Sequence, residues 1–143
     1  MAVIRFTDAD ALATKVIEAG CYPSEVSKIE GPVKSGSGKS FHYIVDVSIT
    51  DGPYKGKTRT LMFNTETRSA SLLGEMQFYP SSHLMLLNEV INGVPLGAQE
   101  LDTDTLLHKP FDANWGIGTA EGHMFNIITG FHAPGYGSSG PAF

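Results

Sequence analysis

Cysteine is nearly absent from this chain and long apolar runs are missing altogether, and each shortage removes a class of protein. Only Cys21 is a cysteine among the 143 residues, so no internal disulfide can form and a reducing, cytoplasmic setting is expected. No stretch approaches the roughly 18 apolar residues that a membrane helix needs, which predicts no membrane partner. The segment Met1–Lys15 lacks the apolar h-region of a secretory leader. His42, His83, His108, His123 and His132 are scattered without metal-ligand spacing, so neither a metal nor another cofactor is expected. Ser35–Ser40 reads SGSGKS, but a phosphate loop requires glycine where Val33 stands and a helix where a strand pattern follows. Nucleotide hydrolysis is disfavoured on both counts. Asp102 and Asp104 suit a helix start, and Cys21 has no identifiable catalytic partner. With no catalytic constellation left, the chain is expected to bind rather than to turn over substrate.

What is present is uneven. The formal net charge is -5, yet residues 28–68 hold seven cations against four anions, while residues 1–27 and 69–143 are both net acidic. The positive third is centred on FHYIVDVSIT-DGPYKGK-TRTLMF, two strand-like runs around a Gly/Pro turn. Phe41, Tyr43, Val45, Val47 and Ile49 alternate with His42, Ile44, Asp46 and Ser48, a period of two that predicts a strand with Phe41, Val45 and Val47 in the core. Cations interleaved with aromatic residues suit a polyanion that carries flat rings, meaning single-stranded nucleic acid. Solubilising charges on an exposed sheet face are the plainer explanation.

The remaining patterning predicts a mainly β chain with α insertions. Thr7 reads as the N-cap of a helix running to Gly20. Strands are expected over 24–30, 41–49, 57–63, 111–119 and 123–131, with 64–74 a loop. A helix over 80–92 would start with Pro80 in its first turn and stop at Gly93, and a short one near 102–108 would be capped by Asp102. Five strands with a helix between the third and fourth describe an OB-like barrel. The chain then divides into an N-terminal helical arm, 1–21, the barrel domain, 22–132, and a flexible Gly/Ser/Pro tail, 133–143.

Candidate nucleic-acid ligands follow from these placements. Lys34, Lys39, Lys55, Lys57, Arg59 and Arg68 would neutralise phosphates, with Lys57 and Arg59 two residues apart on one strand face. Tyr54 at the turn tip would stack on a base, joined by Tyr43 or Trp115. Most of the other strand aromatics are expected in the core.

Two short elements also resemble phage-type single-stranded DNA-binding proteins. One is the turn Gly52-Pro53-Tyr54-Lys55-Gly56-Lys57; the other is Leu107-His108-Lys109-Pro110-Phe111, where this chain has His108 in place of the usual glycine. The similarity spans roughly residues 22–134 and implies an OB-type fold that binds single-stranded DNA in replication or recombination, in a viral setting and in the host cytoplasm. It implies a homo-oligomer and replication proteins as partners of the C-terminal tail through Phe143, although the acidic run that precedes the terminal aromatic in such tails is absent here. A competing expectation is a structural or virion-associated β protein that assembles through the basic hairpin and the two chain ends.

Overall fold

The computed structural model describes residues 2–5, 7–34, 38–95 and 100–135. Thr7 starts helix α1 (Asp8–Thr14) with a reciprocal capping box: its hydroxyl accepts from Asp10 N, and the Asp10 carboxylate accepts from Thr7 N. The Thr7 amide and hydroxyl, both donating to Asp10 Oδ2, hold the Asp10 carboxyl below its ordinary pKa. The helix ends well before Gly20 because Ile17 is drawn out of it into the core. There Ile17 N donates to Asn126 Oδ1 at 2.9 Å, and Asn126 Nδ2 donates back to Ile17 O at 3.0 Å.

The chain is mainly β, with a curled, half-barrel sheet. Its strands are β1 (Gly20–Lys34), β2 (Phe41–Ile49), β3 (Thr58–Asn64), β4 (Ser71–Leu73), β5 (Met76–Pro80), β6 (Pro110–Ala120) and β7 (His123–His132). They lie in the order β4-β5-β3-β2-β1-β6-β7. Seven strands therefore replace the expected five. The two unexpected strands form a small hairpin wing in a stretch partly expected to be loop, with Gly74 at φ 60 in its turn. β5 pairs parallel to β3, whereas the other pairings between the described strands are antiparallel.

Pro80 closes β5 instead of opening a helix; a 3₁₀ turn at Ser81–His83 follows, and α2 (Leu84–Asn92) runs to Gly93 at φ 70 as expected. A second 3₁₀ turn, Thr103–Leu106, is capped by Asp102. Among the described residues no helix is long and apolar enough to cross a membrane.

Alternation fills the core from both halves of the sheet. Val45, Val47, Ile49, Leu61 and Phe63 come from β2 and β3, Trp115 and Ile128 from β6 and β7, and Leu84 and Leu87 from α2. Phe41 departs from the expectation. It shares the inward parity but opens β2 beyond the end of the core, and it is 43% exposed.

The open side of the half-barrel is bridged by side chains. The Gln77 amide pairs with Ile128 like a strand peptide, accepting from Ile128 N at 3.1 Å and donating to Ile128 O. The Tyr79 hydroxyl donates to the same carbonyl. Burial pushes the Tyr79 phenol up to about 12, outweighing the opposing effects of Gln77 and Arg59.

Candidate nucleic-acid interface

The predicted ligands do not form one surface. Lys34 ends β1 as the cross-strand partner of Phe41, and Lys39 precedes Phe41 by two residues. Phe41 N donates to Thr65 Oγ1, and Thr65 N donates to Phe41 O, both at 3.0 Å, which ties the start of the β3–β4 loop, the loop that carries Arg68, to the start of β2. Tyr54 and Lys55 sit at the other end of β2, where Gly56 N donates to Ile49 O at 2.8 Å. A nine-residue strand separates the two groups by on the order of 25 Å at the usual rise per residue.

The hairpin tip is a seat for the N-terminal arm. Tyr54 is half-buried, edge-on to Tyr22 at a centroid distance of 5.7 Å, with Lys15 Nζ 5.6 Å from its ring centre. Lys57, expected on an open strand face, is only 7% exposed. Its Nζ donates to the carbonyls of Leu12, Ala13 and Lys15 at 3.1, 3.1 and 2.6 Å. A cation at the carbonyl end of α1 satisfies acceptors that the helix leaves open.

Arg59 is likewise half-buried, because β3 turns it inward with Leu61 and Phe63. Its Nε donates to Gln77 Oε1 at 3.4 Å, an Nη2 hydrogen goes to the Glu75 carbonyl, and the guanidinium lies 5.4 Å from the Phe125 ring centre. Burial lowers the pKa of both cations, and the Arg59 charge lowers that of Lys57 further.

Trp115 is removed from the set of stacking residues. It is 2% exposed, and its indole N–H donates to Ser24 Oγ at 3.3 Å. Tyr43 is half-buried against the core and lines an open groove with Thr65, Ser82 and Met85, where Glu100 and Asp102 place the wrong charge for a phosphate. Phe143 and the tail from residue 136 lie outside the described residues, as do Ser35–Ser37 of the SGSGKS loop. Burial, and then the Asp112 charge, push the Cys21 thiol up, which disfavours a thiolate nucleophile.

One aromatic residue escaped the sequence reading. Phe78 lies on β5 and is held on the outer face of the sheet by the inward burial of Gln77 and Tyr79. Cross-strand register aligns Glu30, Ile44, Met62, Phe78 and Ser71 in one row across five strands. Ile44, Met62 and Phe78 are each half-buried, and α2 packs against β6 and β7 rather than against this face. The acidic groups nearby are engaged. Asp46 Oδ1 accepts from Thr60 Oγ1 at 2.6 Å, and Glu30 pairs with Lys28 at 2.8 Å. The alternation of MQFYP carried the signal for Phe78, but a five-residue run beside an expected loop was too short to separate from it.

His108 has φ 60, the left-handed region that favours glycine. That is the position at which the resembling motif carries glycine. His108 also lies 3.5 Å from Glu25 and donates its backbone N–H to Val26 O. No protein-family profile matches the chain, and no curated protein matches it.

Proposed function

We propose that the chain binds single-stranded DNA with little regard for sequence, on the outer face of β2, β3 and β5. The observation that carries this is the half-buried Ile44–Met62–Phe78 row, which α2 does not cover, with Lys34, Lys39 and Arg68 carried by segments at the Phe41 end of β2. Bases would rest on Phe78 while the cations meet phosphates, and each stacked base contributes about 1–3 kcal/mol. The strand order β3-β2-β1-β6-β7, with α2 between β3 and β6, supports an OB-like core to which the β4–β5 wing is added. In such folds the face of the second and third strands is the oligonucleotide surface. A role in replication or recombination, in a viral setting, extends the same reading.

A second reading, an assembling structural protein, draws on the wing. Leu72, Leu73 and Met76 are 44, 69 and 49% exposed there, on a sheet edge.

Titrating a labelled oligo-dT at two salt concentrations tests the proposal. Micromolar binding at low salt should weaken steeply with added salt as counterions are released, and Phe78→Ala should weaken it roughly tenfold, in line with the loss of one stacked base. No binding at low salt, or a Phe78→Ala variant that binds like the wild type, would overturn it. Large assemblies formed without DNA would favour the second reading.

A further inference from the structure

Between the end of α1, strand β3 and the start of β7 lies a cleft of about 340 Å³, whose walls include Lys15, Lys57, Arg59, Glu75, Met124 and Phe125. Two of its cations are buried or half-buried, and among the described residues neither forms an ion pair with a carboxylate. The Glu75 carboxyl acts on Arg59 only at a distance, while its main-chain carbonyl takes one guanidinium hydrogen. The three hydrogens of Lys57 are matched by three carbonyls. Arg59 differs: a guanidinium has five N–H donors, and its contacts here account for two of them. Two like charges thus share the cleft with no directly paired carboxylate, Glu75 acting on Arg59 only at a distance. Buried charges are ordinarily paired.

We propose that this cleft is a binding site for a phosphate group. The spare Arg59 donors hydrogen-bond the oxygens, and Lys57 and Lys15 supply attracting charge. A guanidinium fork matches phosphate geometry, and its position is already set by Gln77, the Glu75 carbonyl and the Phe125 ring. The Asn126 wall is fixed by bonds to Ile17 and to the Gly116 carbonyl. The volume exceeds that of a bare phosphate, leaving room for an attached ester. The phosphate is either a free monoester or the end of a nucleic-acid strand, and only the latter source rests on the function proposed above.

The test is thermal unfolding with inorganic phosphate, against chloride at matched ionic strength, for the wild type, Arg59→Gln and Met124→Glu. Met124 is 57% exposed at the cleft, so Met124→Glu supplies the missing carboxylate without opening the core and keeps the test valid where Arg59→Gln fails to fold. Phosphate at tenfold excess over its Kd should raise the wild-type Tm by about 4 °C more than it raises that of Met124→Glu or any folded Arg59→Gln. Equal rises in wild type and Met124→Glu would overturn the site, because phosphate stabilises any fold through exclusion from its surface. Oligo-dT with and without a 5′-phosphate separates the sources. Tighter binding of the phosphorylated strand by the wild type supports a strand end, and equal binding beside a retained phosphate response supports a free monoester. A protein that answers phosphate but binds no oligonucleotide keeps this site and loses the function proposed above.

Discussion

Replacing Lys57 by methionine keeps the apolar stem and removes the ammonium. Three carbonyls at the end of α1 lose the ammonium, at contact distances of 3.1, 3.1 and 2.6 Å, and of these Leu12 O keeps the Lys15 amide as a donor. A hydrogen bond to a charged group contributes about 1.5–3 kcal/mol. The three do not add in full, because the exposed end of α1 lets water reach the freed carbonyls and the ammonium no longer has to be desolvated. A net loss of about 2–3 kcal/mol follows, a sizeable share of the total stability of a domain. With m about 2 kcal/mol/M, the urea midpoint should fall by about 1 M.

Hydrogen exchange locates the damage. The Ala11 and Lys15 amides, bonded to Thr7 O and Leu12 O at 3.1 and 3.2 Å, should lose protection while those of β2 keep theirs. An unchanged midpoint together with intact arm protection would refute the clasp. It would return Lys57 to the role expected from the sequence, an exposed cation whose loss lowers the salt slope of DNA binding by about one.

Two further outcomes are expected. Tyr79 has a folded pKa of about 12 against 10.0 for an ordinary phenol. Between those values the unfolded chain binds fewer protons, so stability should decline by roughly 2–3 kcal/mol as pH rises through that window; alkaline urea titrations should show the decline in the wild type, and one that persists unchanged in Tyr79→Phe would count against it. His108→Gly removes left-handed strain of about 1–2 kcal/mol but adds unfolded-state freedom of about 0.4–1 kcal/mol. Its exposed contact with Glu25 contributes little, so the urea midpoint should rise slightly, and a fall would show that His108 is held there by something other than strain.

Strand β2 was legible because nine residues of strict alternation leave one choice of buried face, and Val45, Val47 and Ile49 occupy it. Trp115 sits on the buried side as firmly, but its neighbours Asn114 and Gly116 gave no hint of which face of β6 would be covered. The wing was illegible for a different reason. Ser71–Leu73 and Met76–Pro80 are too short for a period to emerge, and β5 is placed by parallel pairing with β3 rather than by its own pattern. Gln77 shows the same limit. Its amide completes the sheet by bonding Ile128, 51 positions along the chain, and no local spacing announces such a bond.

The division of the cations explains why the hairpin looked like a binding surface. Lysine and arginine carry long apolar stems, so a polar strand pattern reads the same whether the charged end reaches water or turns back onto main-chain carbonyls. Lys57 and Arg59 turn back, because the arm and the open side of the half-barrel both need donors at that end of the sheet. Lys34 lies instead at the far end of β2, as the cross-strand partner of Phe41, whose ring is exposed. The same composition therefore serves two purposes on one sheet. The structural purpose accounts for the cations nearest the turn, and the proposed binding purpose moves to the far end of β2 and to Phe78. Substitutions at Lys57 and at Lys34 should accordingly separate, the first changing stability and the second changing only the affinity for a polyanion.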